Sequence, residues 1–228
     1  GTHFENSHGL PHPEHLSTAR NLAVMAAAAI RVHPERYAVY KEQSYTYNDI
    51  TQYNRNHLLR EDDSVDGLKT GYTSVAGYGL VASAKREGMR LISVVMGSSS
   101  PSSRKSETRS LLNYGFRFYE TATPLRGGTE LTQGRVWKGQ APQVALGVTT
   151  DVVLTLSRSA AEITPTVEID TPLIAPLEAG DVVGRVVLTR AGESVGEEPL
   201  EVLQEVKSAG FFARLWDTIL LWFQQMLG

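Results

Sequence analysis

The sequence predicts an α+β domain, then a small all-β domain, then a terminal amphipathic helix. Three observations carry this expectation. Between Val65 and Met96 three strand-like runs follow one another with turn residues between them, framed by helical spacing before and after. From 125 to 205 the chain turns rich in β-branched residues, Gly and Pro. Two of the three tryptophans then sit in a final helical pattern. The boundaries read from these shifts are 1–120, 121–207 and 208–228.

Residues 1–15 read as loop, with two prolines and four of the six histidines. His12 and His15 flank Pro13 with no Cys and few carboxylates nearby, so no metal site is read there. From Leu16 to Val32 the spacing predicts a helix capped by Ser17 or Thr18 and ended by Pro34. Its centre is apolar nearly all round, which predicts a helix inside the domain rather than on its surface. Tyr45–Tyr47 is a short strand, and Tyr53–Asn56 a polar turn leading to Leu58 and Leu59.

Three strands come next: Val65–Thr73, Tyr78–Ala84 and Met89–Met96. Gly77 and the turn Arg86-Glu87-Gly88 separate them, which predicts an antiparallel meander. Leu91–Val95 is apolar on both faces and reads as a central strand covered on both sides by helices. Residues 102–119 return to helical spacing, with Leu111, Tyr114 and Phe118 on one stripe.

In the β region the strand candidates are Gly134–Trp137, Val144–Leu146, Asp151–Leu156, Thr166–Ile169, Gly184–Leu188 and Leu200–Val206. Short strands so spaced indicate a sandwich or barrel. No catalytic cluster is read there, and Trp137 reads as core. The terminal helix gathers Arg214, Asp217, Thr218 and Gln225 on a narrow polar strip. Phe211, Phe212, Leu215, Trp216, Ile219, Trp222 and Phe223 cover the rest. Arg214 and Asp217 interrupt the ~20 apolar residues a spanning helix needs. The pattern is that of a helix lying in the membrane interface, with two Trp suited to the headgroup layer. Docking on the protein itself or on a partner is the other reading.

Composition bounds the remaining function classes. A formal net charge of −3 gives no bulk attraction to nucleic acid. The absence of cysteine removes disulfides, thiol catalysis and cysteine-ligated metals, and no cofactor motif is present. The start Gly1-Thr2-His3-Phe4 is polar and has no initiator methionine, so it reads as the middle of a longer protein.

The run Val65-Asp66-Gly67-Leu68-Lys69-Thr70-Gly71-Tyr72-Thr73 is where chemistry concentrates. In a strand, Lys69 and Gly71 share one face and Thr70 takes the other. The glycine removes a side chain that would block a ligand lying along the strand. An ammonium, a hydroxyl and open backbone suit an extended anionic substrate. Lys-Thr-Gly is also the third short motif of serine penicillin-binding proteins and class A β-lactamases.

With its neighbours, that strand resembles the D-alanyl-D-alanine carboxypeptidases, the low-molecular-mass penicillin-binding proteins. The resemblance takes in Thr2-His3-Phe4, Gly9-Leu10, His15–Ala19, Asn54–Leu59, Val65–Thr73, Ala76-Gly77-Tyr78 and the helix around Arg104. It continues through Ala175-Pro176, Gly180 and Gly184 to the terminal helix. It implies the second half of a β-lactamase/transpeptidase-like domain, with an antiparallel sheet and helices, before the β domain. It implies acyl transfer: a serine of a Ser-x-x-Lys motif attacks the peptide bond between two terminal D-alanines of a peptidoglycan pentapeptide stem, and water releases the acyl-enzyme. β-Lactams are then inhibitors of the complete enzyme, and its place is the periplasmic face of the inner membrane.

Carried over, Lys69 supplies positive charge to the cleft, Thr70 a hydrogen bond to the substrate carboxylate, and Gly71 close approach. Arg55 and Arg104 match arginines the family keeps near that carboxylate. Tyr72 stands where the family commonly has His; it still donates a hydrogen bond but carries no charge near neutrality. The nucleophile is missing, because the family's Ser-x-x-Lys and Ser-x-Asn precede the segment corresponding to Gly1. The one Ser-x-x-Lys here, Ser102–Lys105, follows the Lys-Thr-Gly strand, and its serines read as helix caps. The expectation is therefore a carboxy-terminal piece, inactive alone. The alternatives are a non-catalytic membrane-tethered binding module, against which Lys69-Thr70-Gly71 and Arg104 count, and a β-lactamase-like hydrolase, against which the β domain and terminal helix count.

Overall fold

The computed structural model describes residues 1–159 and 161–227, the last four as helix backbone only. The chain forms two compact units, Gly1–Tyr119 and Glu120–Gly228.

In the first unit, helix α1 (Ala19–Val32) starts where Thr18 accepts a hydrogen bond from the Asn21 amide at 3.2 Å. The short helix α2 (Pro34–Tyr37) follows at once. A hairpin of β1 (Ser44–Tyr47) and β2 (Ile50–Tyr53) turns at Asn48 and Asp49, both at positive φ. The sheet proper is an antiparallel meander in the order β3 (Val65–Thr73), β4 (Gly77–Arg86), β5 (Met89–Ser98). Glu87 and Gly88, both at positive φ, make the β4–β5 turn. Helix α3 (Pro101–Phe118) begins at Ser100, whose hydroxyl accepts from the Ser103 amide at 3.0 Å. Its sheet-facing side carries Thr108 and Leu112 onto a core of Leu58, Leu59, Val65, Leu80, Ala82 and Ala84.

Two expectations about this unit are corrected, and the packed face of α3 is not its apolar stripe. Helix α1 is not enclosed: Ala26 is its one buried residue, while Val24 is 61% and Met25 49% exposed. Helix α2, strands β4 and β5 and, through the Asn21–Thr2 hydrogen bond, the amino-terminal segment lie against it and leave much of it exposed. Among the described residues β5 lies at an edge of the three-stranded sheet and β4 at its centre, although α1 and α3 both pack on β5. The stripe Leu111, Tyr114, Phe118 faces outward, and Arg104, Thr108, Leu112 face the sheet. Close approach explains this, since a side chain at Gly115 would run into Leu91.

In the second unit a six-stranded sheet runs β10-β12-β13-β8-β7-β11, beside a two-stranded pair of β6 (Tyr119–Leu125) and β9 (Val152–Ser157). The members are β7 (Glu130–Trp137), β8 (Gln143–Gly147), β10 (Ile163–Ile169), β11 (Leu173–Ile174), β12 (Val182–Arg190) and β13 (Glu193–Val202). Leu146, Val186, Leu188, Leu200 and Val202 are wholly enclosed in its core. Each such side chain contributes roughly 1.5–3 kcal/mol of burial. The last strand ends at Val202, short of the expected Val206, which instead bridges to Leu177. Helix α4 (Phe211–Leu227) follows.

Candidate functional site: an open sheet edge at Lys69-Thr70-Gly71

Strand β3 is an edge strand, paired only with β4 among the described residues. Its register sets Lys69 opposite Val81, Thr70 opposite Leu80, Gly71 opposite Gly79 and Tyr72 opposite Tyr78. Lys69 and Gly71 are exposed and Thr70 is half-buried. No heavy atom lies within 4 Å of where a Gly71 side chain would stand, so the backbone there is open to a ligand. The Lys69 ammonium donates to the carbonyl of Thr70 at 2.5 Å and lies along the strand.

Groups behind the strand reach it at both ends. At its start Asn56, 2% exposed, donates to the Gly67 carbonyl at 3.0 Å and accepts from the Leu58 amide at 3.2 Å. Tyr37 donates to Asp66 at 2.9 Å, and Arg90 donates to both Asp66 (2.8 Å) and the Ser83 hydroxyl (2.5 Å). Burial pushes the Tyr37 hydroxyl up to about 12, with Asp66 adding to the rise. Burial alone would raise Asp66 too, but hydrogen bonds from Arg90 and Tyr37 outweigh it and hold the carboxyl below its usual range.

At the Gly71 end, Arg104 reaches up from α3. Its guanidinium donates to the carbonyls of Gly71 (3.4 Å), Gly79 (3.3 Å) and Arg55 (3.3 Å), and lies 5.7 Å from the Tyr78 ring. The residue is 7% exposed, and desolvation lowers its pKa below that of an ordinary arginine. Arg104 has no carboxylate partner among the described residues. Tyr72 stacks on Tyr78 with ring centroids 4.2 Å apart.

The structure thus joins Lys69, Thr70, Gly71, Tyr72 and Arg104 directly. Arg55 joins them through its carbonyl; its side chain is exposed. Lys105 pairs with Glu61 at 2.8 Å, not with Ser102. Sequence reasoning missed the supporting roles of Asn56, Tyr37 and Tyr78. A cap signal was present for Asn56, which precedes His57-Leu58-Leu59; nothing local marks the other two. Among the described residues no group of His, Asp and Glu could hold a metal ion.

Two family models match the chain. Residues 1–100 match the D-alanyl-D-alanine carboxypeptidase model, and residues 119–208 match that of the C-terminal domain of penicillin-binding protein 5. Residues 1–100 belong to the D-alanyl-D-alanine carboxypeptidase family. Among its relatives, the D-alanyl-D-alanine carboxypeptidase DacA of Escherichia coli is 42% identical over 230 residues, spanning 100% of this chain and 57% of the relative. DacA of Haemophilus influenzae is also 42% identical, across 96% of this chain and 57% of its own length. The structure of penicillin-binding protein 5 from Haemophilus influenzae superposes with a TM-score of 0.84 at 41% identity, covering 91% of this chain and 61% of that one. Penicillin-binding protein 6B of Escherichia coli gives a TM-score of 0.66 at 36% identity, over 87% and 54%. The chain spans less than two thirds of these carboxypeptidases.

A second surface lies in the β unit. Phe211, Phe212, Leu215, Trp216, Ile219, Trp222 and Phe223 of α4 are all exposed, from 41% at Ile219 to 83% at Phe212. Among the described residues no helix is long and apolar enough to cross a membrane. Gln225, which the sequence puts on the polar strip, has its side chain outside the described residues, as is Gly228.

Proposed function

We propose that this chain is the substrate-holding part of a serine-type D-Ala-D-Ala carboxypeptidase that removes the terminal D-alanine from peptidoglycan pentapeptide stems. The open β3 edge carries the reading: Lys69-Thr70-Gly71 exposes an ammonium, a hydroxyl and free backbone, within the residues that belong to this family. An extended stem peptide adds along β3, its backbone pairing with the strand edge. Lys69 puts positive charge beside the terminal carboxylate and Thr70 donates to it. Arg55 and Arg104 add guanidinium charge to the same end, and Tyr72 offers its hydroxyl. A serine of a Ser-x-x-Lys element facing this strand attacks the D-Ala-D-Ala carbonyl; D-alanine leaves, and water hydrolyses the acyl-enzyme. β-Lactams acylate the same serine. The enzyme works at the periplasmic face of the inner membrane, held there by the aromatic side of α4 at the bilayer surface.

The test uses a labelled penicillin. The 228-residue chain alone stays unlabelled, because it holds no serine placed to attack. Joined behind the segment of Escherichia coli DacA that precedes the matched region, it becomes labelled and releases D-alanine, and Lys69→Ala abolishes both. Labelling of the 228-residue chain itself, or full activity of the Lys69→Ala fusion, overturns the assignment. Deleting Phe211–Gly228 releases the fusion from membranes; if it still sediments with them, α4 is not the anchor.

A further inference from the structure

Helix α4 is seated on the β unit. The Asp217 carboxylate accepts a 2.5 Å hydrogen bond from the amide of Lys138, a residue at φ 58° just past the end of β7. Leu221 is buried and closes one side of a cleft of about 360 Å³ that Arg135, Trp137, Pro172 and Leu173 also line. The chain entering the helix is fixed as well, since Ala209 donates its amide to the Lys138 carbonyl at 2.7 Å.

The seat decides which side of α4 faces out. At 100° per residue, Asp217, Leu220 and Leu221 share one side. The seven exposed apolar residues from Phe211 to Phe223 occupy the other. Arg214 and Asp217 are the helix's only charges. With Asp217 turned in to Lys138, the exposed side keeps one charge, the positive Arg214 at its border. A face of Phe, Trp, Leu and Ile edged by a lone cation is complementary to an anionic bilayer surface.

We propose that the β unit holds α4 by Asp217 and Leu221 so that its aromatic face is a pre-formed docking surface for the interface of an anionic lipid bilayer, and that α4 binds lipid without leaving its seat. The proposal rests on the reading of α4 as an anchor and adds how it is held. A seated helix has already lost the freedom that an unbound amphipathic segment loses on reaching the membrane. The seat also withdraws the helix's one acid from the exposed face.

The test uses the 228-residue chain and vesicles of phosphatidylethanolamine and phosphatidylglycerol, read by co-sedimentation and by hydrogen exchange at the Lys138 amide. In the unaltered chain the Lys138 amide is protected and stays protected when vesicles bind. Asp217→Ala loses that protection and binds vesicles about tenfold more weakly, as expected for loss of a charge-assisted hydrogen bond. It does so although it removes a negative charge; Leu221→Ala acts in the same direction. Asp217→Asn, which keeps an acceptor oxygen, retains most of the binding. Exchange at β12 and β13 verifies that each variant is folded.

Three results overturn the proposal. If Lys138 loses protection as vesicles bind, or if Asp217→Ala binds as well as the unaltered chain, α4 anchors but is not seated, and the anchor reading survives. If the unaltered chain ignores vesicles, the anchor reading falls too. A dimer that Trp216→Ala dissolves and vesicles do not would assign the face to a second copy of the chain.

Discussion

Two glycines on β3 separate packing from ligand access, and replacing each by alanine gives opposite outcomes. A Cβ at Gly67 would stand 2.6 Å from the Tyr37 hydroxyl oxygen and 3.1 Å from its ring carbon. Tyr37 is buried and its hydroxyl already donates to Asp66, so it moves only by giving up that bond. Overpacking of this kind costs about 1–3 kcal/mol, and the lost hydrogen bond adds about 1. Gly67→Ala should therefore destabilise the first unit by about 3 kcal/mol. A Cβ at Gly71 meets nothing within 4 Å, and Gly71 has no positive φ. Restricting the unfolded chain there stabilises by roughly 0.4–1 kcal/mol. All three tryptophans lie in the second unit, so their fluorescence in denaturant reports that unit and serves as the internal control. Amide exchange along β4 reports the first. Gly71→Ala destabilising the β3–β4 amides as much as Gly67→Ala would refute the claim that the strand is open at Gly71. In the DacA fusion, Gly71→Val fits a strand but fills the ledge; penicillin acylation should fall at least about tenfold, by loss of the close approach that glycine permits.

In alkali, Tyr37 sets a stability window. Its folded pKa is raised to about 12, so the stability it contributes is intact below pH 10 and drains between about pH 10 and 12; Tyr37→Phe should flatten that slope in amide exchange of the first unit. Acid acts in the other direction. Asp66 is held below the usual carboxylate range, so its contribution is present above about pH 4 and is lost as pH falls through its lowered folded value; Asp66→Asn should remove part of the acid slope of unfolding. In the second unit, Leu146→Ala should cost about 2–5 kcal/mol, read as a shift of the tryptophan transition, because Leu146 is wholly buried between β7 and β13.

The strands that carry the site were legible because their signals are local. Val65–Thr73 is the observed β3 to the residue, and the Glu87-Gly88 turn fixes where β4 gives way to β5. Strand β2 escaped notice, although Asn48-Asp49 between β-forming residues is a two-residue hairpin signal. What the sequence misplaced depends on neighbours. Leu91–Val95 is as apolar as a central strand, and in the described residues α1 and α3 both lie on it while β4 alone pairs with it. The stripe Leu111, Tyr114, Phe118 has helical periodicity, but so does Arg104, Thr108, Leu112, and hydrophobicity alone does not tell which of the two is packed. The packed face is the one beside Gly115, whose missing side chain lets α3 come close to Leu91. The supporting network of Tyr37, Asp66, Ser83 and Arg90 spans four separate segments, so no spacing rule could collect it.

Arg104 poses the sharpest question about the site. A buried cation without a carboxylate costs desolvation energy, and three bonds of 3.3–3.4 Å to carbonyls offset only part of it. If its job were to clamp β3, Arg104→Met would leave those carbonyls short of donors and cost about 3 kcal/mol or more. If its job is to meet an anion, removing an uncompensated buried charge is close to neutral for the empty protein, within about 1 kcal/mol. The length of the bonds favours the second outcome. In the DacA fusion with its Ser-x-x-Lys serine replaced by alanine, so that the ligand is not turned over, a diacylated Lys-D-Ala-D-Ala peptide should then raise the melting temperature of the first unit through binding to the folded state alone. Arg104→Met should abolish that rise, and Arg104→Lys should keep part of it, since charge survives while the fork is lost. A large loss of stability in the empty Arg104→Met protein, or an undiminished response to the peptide, would return Arg104 to a purely architectural role.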